Sequence, residues 1–375
     1  MKKTKVCILC GGKSAEHEVS LQSAKNVYDA IDKNKYDPVL VGIDKNGNWL
    51  LEGSDFLINA HDPKNIRLNP NGLPVVLVKG SGEEGRLVSL SGTKETFDID
   101  VVFPILHGPC GEDGTVQGLL KLAGIPFSGG GVLGSAVGMD KDVMKKLLAF
   151  DDIPICKHIV ITRQNGEGQL QEYIPPYDEI KNKLGEPCFV KPANMGSSVG
   201  VEKIHNEAEY KKYVNLAFQY DTKIILEEFI KGREIECAVL GNEDPVASVP
   251  GEVKSSHEFY SYDAKYLDEN GAAIIIPAKI DANTTKQIQD LAVKTFKALY
   301  ASGLSRVDFF LTDAGKIYVN EINTMPGFTK ISMYPKLWEA SGISYTKLID
   351  RLIELAFECY KKENSLNTSY LNSSC

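Results

Sequence analysis

The stretch KVCILCGGKSAEHEVSLQSAKNVYDAI, residues 5–31, sets the strongest limit on the fold. Residues 6–10 form an unbroken apolar run, as a buried strand requires. A glycine pair follows, and then the period changes: Leu21, Ala24, Tyr28 and Ile31 fall on one helical stripe, with Ser20 the expected N-cap. DPVLVGI (37–43) and DIDVVFPILHG (98–108) read as further apolar strands. Strands alternating with helices predict a parallel α/β sheet. Ligands to such sheets gather beyond the carboxyl ends of the strands, where Gly11-Gly12, Glu16 and His107 fall.

One such sheet does not use up 375 residues, so two or three domains are expected. The Gly-, Asn- and Pro-containing stretch 50–100 reads as an insertion in the first domain or a β-extension of it. GVLGSAVGMDKDVMKKLLAF opens a new unit with a helix. CFVKPANMGSSVGV reads as strand–loop–strand, and KIILEEFIKGREIECAVLG as two strands joined around Lys231-Gly232. TTKQIQDLAVKTFKALYASG is a patterned helix with a stripe of Ile288, Leu291, Ala292, Thr295, Phe296 and Leu299 and a stop at Gly303. SYTKLIDRLIELAFECYKK is the closing helix, and the polar ENSLNTSYLNSSC, residues 363–375, reads as a disordered tail.

Charge and cysteines narrow the class. The net charge of −8 opposes non-specific nucleic-acid binding, which wants a basic surface. The eight cysteines are scattered, and Cys7-Ile8-Leu9-Cys10 lies inside the buried strand rather than in a zinc or redox loop. The N-terminus carries charge without a long apolar stretch, and no run suits a membrane span, so a cytoplasmic protein is expected.

LSRVDFFLTDAGKIYVNEIN reads as a β-hairpin. A tight turn at Ala314-Gly315 places Asp308 opposite Glu321 and Arg306 opposite Asn323. The expected face then carries Phe310, Ile317 and Val319 near the turn and Arg306, Asp308, Glu321 and Asn323 at the open end. A three-residue turn without a bulge would shift the register by one and scatter them. Hard oxygen ligands gathered there suit Mg²⁺, which keeps some waters and takes the rest of its shell from carboxylates and phosphates. A polyphosphate is therefore expected. Gly196-Ser197-Ser198 could cover its oxygens with backbone N–H groups, and Lys191, Lys141 and Lys265 are candidate cations. The extended LEEFIKGRE could pair with a base, with Glu234 as an acceptor for ribose hydroxyls. GxGxxG is missing after the first strand, which argues against a dinucleotide-binding oxidoreductase.

Together, GGKSAEHEVSLQSA, HGPCGEDGTVQGLL, GSAVGMDK, FVKPANMGSSVGV, GREIECAVLG, SRVDFF and NEINTMPGFTKISMYP resemble the D-alanine–D-alanine ligases of the ATP-grasp superfamily. The resemblance runs from residue 6 to about 356. It implies an N-terminal α/β substrate domain over 1–130, a central ATP-grasp lobe over 131–227 and a C-terminal lobe with the metal site over 228–362. It implies ATP and two Mg²⁺ ions, with Mn²⁺ able to substitute, held by Asp308, Glu321 and Asn323. Lys141 and Lys191 would contact the α- and β-phosphates and Lys265 the γ-phosphate. The segment around Glu227, Phe229 and Ile230 would read adenine, and Glu234 the ribose.

Glu16 would bind the ammonium of the first D-alanine, near His107. Ser197 and Tyr266 would link to Glu16 and close a mobile loop. Arg306 and the Gly327 N–H would stabilise the oxyanion, and Ser332 would receive the second carboxylate. The implied product is D-alanyl-D-alanine for peptidoglycan precursors, made through an acyl phosphate by a homodimer. Many relatives carry an acidic residue where Ser261 stands, so altered loop dynamics are expected. Resistance-type relatives join D-alanine to D-serine or D-lactate. Tyr266 argues against the lactate type, and Met333 fits the alanine type. From another class, an inactive nucleotide-binding regulator is opposed by the complete set of charged residues.

Overall fold

Residues 6–10 are as buried as their apolar run requires. The computed structural model describes residues 2–367, apart from 61, 63–64, 81–84, 93–94, 167–168, 173 and 256–271. The first strand, Thr4–Gly11, lies between Tyr36–Ile43 and Val101–Ile105 and runs parallel to both. Cys7 and Cys10, three residues apart, face opposite sides of the sheet and join different core clusters. Burial pushes the Cys7 thiol up to about 12, so neither a metal nor a redox role fits it. The remaining strands of this seven-stranded sheet, Trp49–Glu52, Leu73–Lys79, Gly85–Ser89 and Thr96–Ile99, are added antiparallel. The 50–100 stretch is thus a β-extension of the first sheet.

Ser20 is not the N-cap. The helix His17–Ala30 begins one turn earlier, with Glu16 at its cap position. Ser20 is buried inside it, accepting from Gly11 N at 2.7 Å and donating to Ile105 O. Its hydroxyl ties together the carboxyl ends of two strands.

KIILEEFIKGREIECAVLG does not form a hairpin. Lys223–Glu228 joins a five-stranded antiparallel sheet with His158–Gly166 and Cys188–Pro192, whereas Gly232–Gly241 lies in the next sheet beside Gly251–Ser255 and Gly303–Thr312. The expected helix after Gly131 is two helices, Val132–Met139 and Lys141–Phe150, divided at Asp140. Asp140 caps the second, accepting from Asp142 N and Val143 N at 3.1 Å each. Its Ala variant is expected to lose about 1 kcal/mol, read as a lowered Tm. Met144, Leu148 and Ile153 pack with Ile235 and Val307 of the C-terminal sheet and with Phe296 of the helix Ala282–Ala298, and Ile155 bridges Val319. The segment expected to open the central lobe therefore packs on the C-terminal one.

Helix Ala282–Ala298 buries Ile288, Ala292, Thr295 and Phe296 as expected. It stops before Gly303, at Tyr300, whose left-handed φ of 53° lets Ala301 N return to Phe296 O at 3.0 Å. The closing helix Tyr345–Asn364 reaches into the stretch expected to be disordered, of which 368–375 lie outside the described residues. It buries Leu348, Leu352 and Ile353 in one cluster with Val101 and Phe103 of the first sheet, fixing the two ends of the chain together. No helix among the described residues is long and apolar enough to cross a membrane.

The hairpin Gly303–Thr312/Ile317–Asn323 departs from the tight turn expected at Ala314-Gly315. Thr312 N donates to Lys316 O at 2.9 Å, enclosing the three residues 313–315. That loop alone would shift the register, but a bulge between Asp308 and Phe309 leaves Asn320 unpaired and restores it. Asp308 then faces Glu321 and Arg306 faces Asn323. Between turn and bulge the alternation is displaced. Ile317 and Val319 lie opposite Leu311 and Phe309, all four in the core, not on the acidic face.

Candidate active site

The loop after the first strand turns at Gly11 and Gly12, both at positive φ, and delivers Glu16 to the head of the first helix. Glu16 is buried, and its Oε1 accepts from Ser197 Oγ across 181 residues. Two glycines from different units make room for it. A Cβ on Gly108 would stand 2.7 Å from Glu16 Oε2, and one on Gly196 3.1 Å. Ser197 and Ser198 hold left-handed φ values of 50° and 61°, an uncommon conformation outside glycine that clusters at functional loops.

Glu16 lines a cavity of about 590 Å³, and His107, Lys141, Ser197, Arg306, Glu321, Asn323, Gly327, Ser332 and Met333 line it too. Ten of the expected site residues thus meet in one place. Ser332 is the N-cap of helix Met333–Ala340, and its hydroxyl accepts from Thr329 N at 3.0 Å. Gly327 lies against it, since a Cβ there would stand 2.9 Å from Ser332 Oγ. Met333 is buried in the first turn of that helix.

His107 fastens the Pro326-Gly327 turn to the N-terminal unit. Its Nδ1 lies 3.1 Å from Met325 O and 3.7 Å from Glu112 Oε1, and its Nε2 lies 3.2 Å from Ser23 Oγ. Ser23 in turn accepts from Phe328 N at 3.3 Å. Glu112 was not singled out from the sequence; its position in HGPCGEDG, five residues after His107, was the available signal. Burial, with the charge of Glu16 adding, raises its carboxyl to about 7. Burial opposes the charge of His107, but Glu112 outweighs it and the imidazole is raised.

Both shifts have the same linkage sign. As pH rises, the unfolded chain sheds the Glu112 proton from its ordinary value of 4.5, while the folded chain keeps it until about 7. The His107 contribution, present below its unfolded value, is likewise lost as pH climbs through its folded one. The Tm advantage of the wild type over Glu112→Gln is therefore expected to shrink as pH rises from about 4.5 through about 7. A pH-independent difference would refute the pairing.

Beneath the cavity lies a buried ionic row. Glu227 places Oε2 2.7 Å from Lys191 Nζ and Oε1 2.8 Å from the fully buried Lys145 Nζ. Lys191 also donates to the bulged Asn320 Oδ1 at 3.3 Å, joining the central sheet to the hairpin. Burial would raise the Glu227 carboxyl, but the two lysines hold it well below the usual range. Lys141 donates to Met195 O at 2.7 Å and lies 3.8 Å from Glu321, and burial lowers its pKa. Lys145 is a further residue that sequence reasoning passed over; one turn after Lys141, it looked like an ordinary helix lysine.

Arg306 forks onto Asp308 with two bonds of 2.7 Å and lies 2.9 Å from Glu236, the residue opposite Asp308 in the sheet. Among the described residues no three His, Cys, Asp or Glu side chains gather as a metal site. The hairpin offers two carboxylates in register and one amide. That set fits Mg²⁺, which needs only one or two carboxylates beside phosphates and waters. Phe229 is exposed, 6.0 Å from the Phe189 ring and under Lys203 Nζ, Ile230 is half-buried beside it, and Glu234 lies opposite Phe310 and Val253. Lys265, Tyr266 and Ser261 lie outside the described residues.

Comparison with known proteins gives the family. The family model for the D-ala D-ala ligase N-terminus matches residues 5–130, and that for the D-ala D-ala ligase C-terminus matches residues 147–354. The chain is 53% identical to a D-alanine–D-alanine ligase from Oceanobacillus iheyensis, over 98% of this chain and 99% of the relative. It is 50% identical to D-alanine–D-alanine ligase A from Escherichia coli K12, over 98% and 100%. The solved ligase from Coxiella burnetii superposes with a TM-score of 0.81 at 37% identity, covering 97% of each chain. The VanG D-Ala:D-Ser ligase from Enterococcus faecalis gives 0.79 at 38%, covering 95% of this chain and 100% of that one. The Bacillus anthracis ligase complexed with ATP gives 0.69 at 29%, covering 96% and 99%. The expected fold is borne out, an N-terminal α/β unit followed by a two-lobed ATP-grasp fold. With both family models matched in order and half of all positions shared along nearly the full length, the chain belongs to the D-alanine–D-alanine ligase family.

Proposed function

We propose that the chain is an ATP-dependent ligase that joins two D-alanines into D-alanyl-D-alanine. One observation carries the reading: a single cavity gathers Glu16, Lys141, Ser197, Arg306, Glu321, Asn323 and Ser332 from the seven-stranded, central and C-terminal sheets and the loops and helices beside them. On this reading residues 1–130 form the first substrate domain, 158–227 the central lobe, and 228–362 with 131–157 the C-terminal lobe.

Glu16, oriented by Ser197, receives the ammonium of the first D-alanine, with His107 beside it. Lys141 and Lys191 hold phosphate oxygens of ATP, the chain around Glu227, Phe229 and Ile230 receives the base, and Glu234 the ribose. Asp308, Glu321 and Asn323 would hold two Mg²⁺, which supply charge neutralisation at the transferring phosphoryl group when bound. The first carboxylate attacks the γ-phosphorus and ADP leaves. The second amine attacks the resulting acyl phosphate, and phosphate leaves through a tetrahedral oxyanion. Arg306 and the Gly327 N–H are the donors for that oxygen. Ser332, at a helix N-terminus, suits the second carboxylate because the free N–H groups there favour negative charge. A homodimer and a cytoplasmic location belong to the same proposal; sedimentation velocity tests the first.

The deciding assay offers ATP, Mg²⁺ and D-alanine with D-alanine, D-serine or D-lactate, and reads dipeptide and phosphate. The highest kcat/KM is expected for D-alanine. The similarity to the D-Ala:D-Ser ligase favours serine as the second reading, and a preference for serine would install it. No phosphate release with any acceptor would leave a nucleotide-binding protein without ligase activity.

A further inference from the structure

Lys145 has no part in the steps above, yet its ammonium is fully buried in a helix whose neighbours Met144 and Leu148 are core residues. An unpaired buried ammonium is strongly unfavourable, so its retention there has to be matched by a partner. That partner is Glu227, 2.8 Å away, with Cys156 Sγ accepting at 3.4 Å. Glu227 is shared, because its other oxygen lies 2.7 Å from Lys191. Lys191 reaches on to Asn320, next in sequence to Glu321 on the hairpin.

The charge count gives the row its meaning. Two lysines flank one carboxylate, leaving one net positive charge. Without Lys145, Lys191 would be the sole counter-ion of Glu227, and the pair would be neutral toward an arriving anion. Burial works against the charge of Lys145, but Glu227 outweighs it and keeps the ammonium protonated. We propose that Lys145 is a positioning residue that balances the charge of Glu227 and so leaves the charge of Lys191 available to a polyphosphate. This rests on the reading of Lys191 as a phosphate contact.

The test measures binding of ADP and of inorganic tripolyphosphate, each with Mg²⁺, to the full chain. The tripolyphosphate carries no base, so it reports the charge alone. Lys145→Met is expected to weaken both by about 10- to 100-fold, the range for a charge-assisted contact. Adding Glu227→Gln removes the unmatched carboxylate, and tripolyphosphate binding is expected to return to within about 3-fold of wild type. A purely structural role for Lys145 would not be rescued by deleting a second buried group. Wild-type affinity in Lys145→Met overturns the proposal, as does a folded double variant that stays weak. Should Lys145→Met not fold, the double variant decides by itself, since it restores the count of one net positive charge, carried by Lys191. Lys191→Met binding like wild type would instead refute the phosphate reading. Loss there with none in Lys145→Met overturns the inference alone.

Discussion

Arg306→Ala is expected to lower kcat for dipeptide formation by about 10²- to 10³-fold, corresponding to about 2.7–4 kcal/mol for one oxyanion donor. The guanidinium is placed for this by its own sheet. Strand pairing sets Glu236 directly opposite Asp308, and Arg306 bonds Asp308 and approaches Glu236 within 2.9 Å. Two like charges in facing positions repel, so the arginine is held firmly between them while lining the cavity. Removing it leaves the hairpin carboxylates free for cations, so nucleotide binding should survive while peptide formation fails. Lysine should recover little, because a point charge cannot reproduce the two parallel 2.7 Å bonds to Asp308. Steady-state kinetics with ADP binding measured in parallel makes the distinction. Equal losses in both would point to a folding defect and refute the assigned role.

Glu227→Ala should be the most damaging single change to stability. It leaves Lys145 and Lys191 buried, adjacent and unpaired, and breaking a buried pair in this way costs about 3–5 kcal/mol. A Tm lower by about 10 °C is the corresponding expectation for a domain of this size. The pH dependence follows from the depressed carboxyl. Its stabilisation is present above the unfolded value of 4.5 and disappears only as pH falls through the much lower folded one. The Tm gap between wild type and variant should therefore hold steady from neutral pH to about 4.5 and close only in stronger acid. A gap that closes at neutral pH would contradict the assignment.

The chain reveals its motifs and their chemistry because these depend on short-range spacing. Strand alternation put Glu321 and Asn323 on one face and an expected tight turn set Asp308 opposite Glu321, while an apolar run alone marked the first strand as buried. The hairpin shows where such reasoning stops. The expected tight turn was replaced by a three-residue loop, and the register survived only because a bulge at Asp308 cancels the shift. Two departures compensated, while Ile317 and Val319 changed face. KIILEEFIKGREIECAVLG reads as two strands joined around Lys231-Gly232, but only the packed chain shows that residues 229–231 carry it from one sheet to another. Local pattern cannot tell a hairpin from a crossing between lobes.

By itself, the sequence determined which residues carry charge, oxygen ligands and flexible backbone, and so the family and the chemistry within reach. Tertiary structure decided what each charged group faces. Lys145 and Glu112 are ordinary letters on a helix and in a loop. They became a buried counter-ion and a carboxyl raised to about 7 only when burial removed water and brought distant charged partners within reach. Desolvation and long-range pairing are properties of the packed chain, and no local spacing encodes them.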